Sequence, residues 1–273
     1  MKNIYITDLD HTFLKNDLSI SDYTKKTWNS YAKNSIMGIA TARTYKKTMQ
    51  FLTDIELNAP MILLDGALVA TQDKNIIDTK FISKDISNMI IDEGFKLCIY
   101  PFIIALQGDD LHEVFLHSHI LNKHQKEVLS RYTKDDNLQK MQDLKAMSKN
   151  FKLVYMGEES LLNELKQNLQ NIFADELKYI FAPEVYTGCY FLTILHKDAD
   201  KAHGIKSISE YLGFDLSKLT VFGDNHNDIG MFELAKTSVA VANAQTELKN
   251  LATIVLKDTN DEDAVAKYLK GLK

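Results

Sequence analysis

The sequence predicts an α/β protein: a mostly parallel sheet core, covered by helices on both faces, with an α+β unit inserted into it. Three observations carry that expectation. Short apolar segments alternate with helix-period segments over the first eighty residues, and the alternation returns over the last eighty. From Phe81 to Tyr190 helices and strands mix without that alternation. Polar residues able to hold a metal or a phosphate follow several core strands, where sheets of this class bind their ligands.

In chain order, Ile4–Thr7 is β-branched and aromatic and reads as the first strand. Ser19 or Ser21 can cap a helix running toward Lys33. Ile36–Ala40 is a second strand, followed by a helix over Tyr45–Asp54. Met61–Leu64 is a third, and Asp65-Gly66 marks a turn before Leu68–Ala70. The insertion shows helical stretches at Asp85–Glu93, Asn122–Tyr132 and Glu159–Phe173. Its apolar strands are Leu97–Tyr100, His112–His119, Lys152–Met156 and Tyr179–Phe181. Phe191–Leu195 then reads as a return to the core, before a helix with Ala202, Ile205, Ile208 and Leu212 at helical spacing. Strands at Leu219–Phe222, Ser238–Val241 and Thr253–Leu256 alternate with helices at Ile229–Ala235 and Thr246–Leu251, and Glu262–Leu269 closes the chain. The expected division is a core of residues 1–80 and 191–273 and an inserted domain of residues 81–190.

Composition narrows the function. The chain has 273 residues, 45% of them hydrophobic and 25% charged, values of a soluble globular protein. Three prolines and eleven glycines leave little room for long disordered linkers. A net charge of -5 argues against a dedicated nucleic-acid binder. Cys98 and Cys189 match no metal or redox spacing and read as free thiols of a reducing compartment. Asp8 arrives before any apolar signal region could form, and the longest apolar stretch, Cys98 to Leu106, is broken by Pro101 and too short for a bilayer. The expectation is a cytoplasmic protein with no membrane partner; the sequence leaves its oligomeric state open.

The most informative residues are Asp8 and Asp10. Residues two apart on an extended segment project to one side, so both carboxylates can face one small volume. Held that close they repel, and a cation or a shared proton must compensate. Thr41-Ala42-Arg43 follows the second strand, Lys201 precedes the Ala202–Leu212 helix, and Gly223-Asp224-Asn225-His226-Asn227-Asp228 follows Leu219–Phe222. Singly, each has an ordinary reading: a turn for the Asp8 pair and for Asp224, a helix cap for Thr41, a solvated lysine for Lys201. Their recurrence at one sheet edge points to phosphoryl transfer. Mg²⁺ takes one or two carboxylates plus a substrate phosphate, and Asp8 and Asp224 can supply them. Asp8 could attack phosphorus while Asp10 moves the protons. Thr41, nearby backbone amides and the Lys201 ammonium could hold the remaining phosphate oxygens.

These four ordered motifs resemble those of the haloacid dehalogenase superfamily, and the insertion after Leu64-Asp65-Gly66-Ala67 resembles its Cof-type branch with a class IIB cap. The resemblance spans the chain and implies a Rossmann-like core with an inserted cap domain. It implies Asp8 as nucleophile and Asp10 as general acid/base. It also implies Mg²⁺ bound by the Asp8 side chain, the Asp10 backbone carbonyl and Asp224, with Asp228 supporting the metal directly or through its neighbours. Phosphate would be held by Thr41, Lys201, Asn227 and the amides near Leu9 and Ala42. The implied activity is a Mg²⁺-dependent phosphatase acting on a small phosphorylated metabolite, with sugar phosphates the leading class.

Two positions depart from the family pattern. Ala42 stands where glycine is usual, a change tolerable unless the backbone there has φ > 0. Asp65 stands where asparagine is common, and its carboxylate would disfavour anionic substrates. Rival readings are a phosphotransferase or mutase using the same aspartyl phosphate, a phosphorylated signalling receiver, and a non-catalytic phosphate-binding protein. His112, His117, His119 and His124 read as a solvated surface rather than a metal site, and Asp109-Asp110 and Asp135-Asp136 as loop charges. Asp258, Asp261, Glu262 and Asp263 read as the acidic start of the last helix, Trp28 as helix packing, and Tyr186, Cys189 and Tyr190 as pocket or hinge residues.

Overall fold

Five consecutive buried residues form β1 (Ile4–Asp8), and because neighbours on a strand point to opposite faces, both faces of the sheet are covered there. This is seen in a computed structural model that describes residues 2–132, 137–184 and 188–272. Asp135, Asp136 and Tyr186 lie outside the described residues. The chain forms two units, Met1–Thr79 with Asp200–Lys273, and Lys80–Ala199.

In the first unit β1 is followed by α1 (Asp22–Ala32), β2 (Ile36–Ala40), α2 (Tyr45–Met49), β3 (Met61–Leu63), β4 (Leu68–Ala70) and β5 (Ile76–Thr79). After the insertion come α6 (Lys201–Leu212), β12 (Leu219–Gly223), α7 (Ile229–Leu234), β13 (Thr237–Ala240), α8 (Thr246–Leu251), β14 (Ile254–Val255) and α9 (Ala264–Gly271). The sheet order is β14-β13-β12-β1-β2-β3-β4-β5. The pairs from β14 to β3 are parallel, while β4 pairs antiparallel with β3 and with β5. β1 therefore sits between strands reached by crossovers in opposite directions, the switch point at which such sheets bind ligands. Ser21, not Ser19, caps α1: its hydroxyl accepts from the Thr24 amide at 3.1 Å. Trp28 is fully buried, stacks edge-on against Phe13, and donates its indole N–H to the Glu56 carbonyl.

The second unit contains α3 (Lys84–Lys96), β6 (Phe102–Leu106), β7 (Glu113–Ser118), α4 (Lys123–Ser130), β8 (Leu138–Met141), β9 (Asn150–Gly157), α5 (Glu159–Phe173), β10 (Leu177–Glu184) and β11 (Cys189–His196). Its six strands are ordered β10-β11-β9-β6-β7-β8 and are antiparallel except for the β7–β8 pair. Ile90 and Ile91 of α3 and Leu162, Leu165 and Leu169 of α5 pack on Ile103, Leu153, Tyr155, Leu192 and Ile194. Among the described residues no helix is long and apolar enough to cross a membrane.

Three sequence expectations are corrected. Phe191–Leu195 is not a core strand: it lies in β11, paired on one side with β9 and on the other with β10, and Leu192 and Ile194 belong to the second unit's core. The second unit accordingly runs to Ala199 rather than 190. Leu97–Tyr100 is not a strand, because Leu97, Cys98 and Ile99 turn their amides back onto the end of α3, with Cys98 at φ 57. Pro101 then forces the preceding residue out of helix, and the strand starts at Phe102. Finally, α2 stops at Met49 instead of reaching Asp54, since Phe51, Leu52 and Ile55 bond three residues back in successive tight turns.

Candidate active site

The parallel register puts the last residues of β1, β2 and β12 at one edge, so Asp8, Thr41 and Asp224 start from neighbouring strand ends. Asp200 accepts the His203 amide as the N-cap of α6, and the first helical residue, Lys201, points into the same place. Lys201 is 1% exposed, and its Nζ lies 2.6 Å from Asp8 Oδ1 and 2.6 Å from Asp228 Oδ1. The other Asp228 oxygen accepts the backbone amides of Asp224 (2.9 Å) and Asn225 (3.1 Å), which fixes the loop after β12. Gly223 is required there: a Cβ would sit 2.5 Å from that Asp228 oxygen. Thr12 donates to Asp224 Oδ1 at 3.2 Å.

Asp8, Asp224 and Asp228 are all buried, and one carboxylate oxygen from each lies within 4.8 Å of the others. Burial pushes the Asp8 carboxyl well above the usual range; Lys201 pulls it down, while Asp228, Asp224 and Asp10 push it further up. Burial likewise raises Asp224, up to about 7, with Asp228 adding to the rise. Burial works against the charge on Lys201, yet Asp228 and Asp8 outweigh it and hold the ammonium above its ordinary value. One lysine thus faces three carboxylates, a set short of positive charge. Hard carboxylate oxygens around such a deficit suit a hard dication.

The remaining predicted residues fall close by but play distinguishable parts. The Asp10 side chain is turned to Arg43, which grips it in a fork, Nε to Oδ2 at 2.8 Å and Nη2 to Oδ1 at 2.5 Å. The Arg43 guanidinium also lies over the Phe51 ring, 4.6 Å from its centroid. Thr41 is fully buried, with its hydroxyl accepting the Arg43 amide and its backbone amide tied to the Ile62 carbonyl. Ala42 is exposed and has no positive φ, so the methyl that replaces glycine there is accommodated. Leu9 is buried, and its carbonyl accepts from both Phe13 and Leu14. Asn227 Nδ2 donates to Asp65 Oδ1 at 3.1 Å.

The sequence pattern assigns Arg43 no part, and the structure makes it the holder of Asp10. A signal was available: it is one of two arginines among 32 basic residues, and arginine is the side chain whose planar fork matches a carboxylate. The histidines of the second unit are not uniformly solvated, since His117 and His124 are buried. Among the described residues the only metal-capable cluster is the aspartate set.

Comparison with known proteins shows the family and the fold. A family model described as haloacid dehalogenase-like hydrolase matches residues 5–269. A 5-amino-6-(5-phospho-D-ribitylamino)uracil phosphatase of Bacillus subtilis is 24% identical over 96% of this chain and 94% of its own. The crystal structure of a Thermotoga maritima protein superposes with a TM-score of 0.81 at 24% identity, covering 100% of this chain and 98% of that one. A subclass IIB sugar phosphatase of the haloacid dehalogenase superfamily has a TM-score of 0.75 at 19% identity, covering 99% of each chain.

Proposed function

The chain belongs to the haloacid dehalogenase-like hydrolases and is a phosphatase, and we propose that it hydrolyses a small phosphate monoester through a phosphorylated Asp8 with Mg²⁺ as cofactor. The observation that carries this reading is the buried meeting of Asp8, Asp224 and Asp228 around one lysine. An Asp8 oxygen attacks phosphorus as the bond to the leaving oxygen breaks, and Asp10 gives that oxygen a proton. Asp10, now a carboxylate, then takes a proton from water as the water oxygen attacks the phosphorylated Asp8, which releases inorganic phosphate, restores the Asp8 carboxylate and returns Asp10 to its protonated form.

Asp8, the Asp10 backbone carbonyl and Asp224 would hold the metal, and Asp228 supports them by fixing the Asp224 loop. When bound, the ion offsets the repulsion between the Asp8 carboxylate and an anionic phosphate. Lys201, Thr41, Asn227 and the amides at Leu9 and Ala42 hold the phosphate oxygens. Lys201 suits this best, because its ammonium already lies 2.6 Å from an Asp8 carboxylate oxygen. Arg43 positions the Asp10 carboxylate through both of its oxygens, and one of the two contacts has to open for Asp10 to carry the proton it donates.

A sugar or sugar-alcohol phosphate is the substrate class, supported by one relative named for a phosphoribitylamino compound and one for sugar phosphates. The test is phosphate release from a panel of phosphorylated metabolites, with Mg²⁺ and with chelator, by wild type and Asp8→Asn. Turnover should need the metal and vanish in the variant. Turnover that survives Asp8→Asn contradicts the nucleophile, and a requirement for an acceptor alcohol would make the enzyme a phosphotransferase.

A further inference from the structure

The loop after β1 carries Asp10 and Thr12, and its turn is built on one carbonyl: the Phe13 and Leu14 amides both donate to Leu9, at 3.1 and 2.8 Å. That carbonyl belongs to the planar peptide group whose nitrogen is that of Asp10, so the turn fixes how Asp10 leaves the strand. His11 follows at φ 56, a left-handed conformation that a residue with a side chain keeps only where its surroundings hold it. The loop therefore needs restraint from outside.

Asn260 supplies it from the segment before α9. It is 3% exposed, and its Nδ2 donates to the Leu14 carbonyl at 2.9 Å and to Asn16 Oδ1 at 3.0 Å. Its backbone amide donates to Asn243 Oδ1 at 3.0 Å, and Asn243 Nδ2 in turn donates to the His11 carbonyl at 2.8 Å. Asp261 adds a second grip, accepting the backbone and side-chain amides of Asn16 on its two oxygens. Asn243 stands in the 241–245 loop between β13 and α8, and that loop also holds the other side of the site. There the Gln245 amide donates to the Asp224 carbonyl at 2.8 Å, and the Val241 amide donates to the Gly223 carbonyl. The loops bearing Asp10 and Asp224 are thus tied to one frame, joined at Asn243 and Asn260.

We infer that Asn260 and Asn243 are positioning residues: they hold the Asp8–Asp10 segment at the spacing from Asp224 that a divalent cation requires, and so set the affinity for it. The inference rests on the phosphatase reading above and adds to it two residues outside the sequence motifs. Both act through the backbone of His11, Leu9 and Leu14. Mg²⁺ demands near-ideal geometry of its oxygen ligands, so a loop free to shift binds it less well. Partners that orient metal-holding groups from behind are worth about 10–100-fold in metal affinity or activity. Acting through intervening backbone, Asn260 belongs at the lower end, about tenfold.

The test is Mg²⁺ binding to metal-stripped protein by titration calorimetry, which needs no turnover. Asn260→Leu keeps a similar shape without the donor and should raise the Mg²⁺ dissociation constant about tenfold. Asn243→Ala, at an exposed position, should raise it too, and it tests the same frame if the buried variant fails to fold. The Mg²⁺ concentration for half-maximal phosphate release should move by the same factor, with KM for the ester little changed at saturating metal. Thr253→Val removes hydroxyl bonds to Ser238 near the β14 edge of the sheet and controls for general loosening; it should leave the constant alone. An unchanged constant in either folded asparagine variant, or an equal rise in Thr253→Val, overturns the proposal. Failure of the underlying reading looks different: the wild type itself takes up no Mg²⁺, or hydrolyses no phosphate monoester.

Discussion

Replacing Lys201 with methionine keeps the aliphatic stem and removes one buried charge. In the wild type that charge lies 2.6 Å from two carboxylates, in a position where lysine, Asp8 and Asp228 are 1%, 7% and 0% exposed at their side chains. Breaking a buried pair by removing one partner costs about 3–5 kcal/mol, because the remaining charge is left uncompensated. Here two carboxylates lose the same cation, so the upper part of that range applies. For a protein of this size each kcal/mol moves the melting temperature by about 2–4 °C, which puts the fall on the order of 15 °C in chelator.

The loss should depend on pH. Without the ammonium, the folded state can relieve the repulsion by keeping a proton that the unfolded chain has released, so the variant weakens as pH rises above about 4. Mg²⁺ should protect the variant more than the wild type, since the cation meets the carboxylates without a competing ammonium. A ligand at a hundred times its dissociation constant contributes about 2.7 kcal/mol. Thermal melts of both proteins, with chelator and with saturating Mg²⁺, read all three effects. A loss below about 1 kcal/mol, or equal protection of the two proteins by the metal, refutes this account of the site's electrostatics.

Other perturbations probe single contacts. In metal-free protein Asp224 is held up to about 7, against about 3.9 in an unfolded chain, so the folded state carries the extra proton between those values. Stability without metal should therefore fall as pH climbs from about 4 through 7, and saturating Mg²⁺ should flatten the curve; a metal-free melt series that rises over that window contradicts it. Gly223→Ala puts a Cβ 2.5 Å from the Asp228 carboxylate oxygen, displacing the anchor of Lys201 and the Asp224 amide. It should cost about 1–3 kcal/mol in urea unfolding, with most of the activity lost, and wild-type stability would count against the close approach. Arg43→Met releases Asp10 from its fork, and kcat on alkyl phosphates should drop about tenfold or more with little change in KM. An unchanged kcat would show that Asp10 needs no such holder.

Much of the core was readable because its strands are short apolar runs with turn chemistry between them. Ile36–Ala40, Leu68–Ala70 and Thr246–Leu251 fall where their patterns put them. The site was readable for a related reason: residues at the ends of parallel strands converge by construction, so Asp8, Thr41 and Asp224 could be gathered without coordinates, whereas Lys201 enters from the start of α6. What failed was assignment by apolarity alone. Phe191–Leu195 is as apolar as a core strand, and nothing in its own composition says that its partners are β9 and β10. The early end of α2 depends on turns that bury Leu52 and Ile55, a tertiary fact that a helical pattern does not carry. The edge strand β5 passed unnoticed because its four residues are only half-buried and interrupted by Asp78. The Asp10–Arg43 fork escaped because spacing gives proximity but not rotamers.

The covalent step can be observed directly. Wild type mixed with a radiolabelled phosphate monoester and quenched in acid within one turnover should carry label on the protein. Borohydride reduction of the acyl phosphate expels the labelled phosphate and should leave homoserine in place of Asp8, read by peptide mass spectrometry, and in a longer time course the protein-bound label should decay at the turnover rate. Product released with no labelled protein at any quench time, or label on another residue, would contradict nucleophilic catalysis by Asp8.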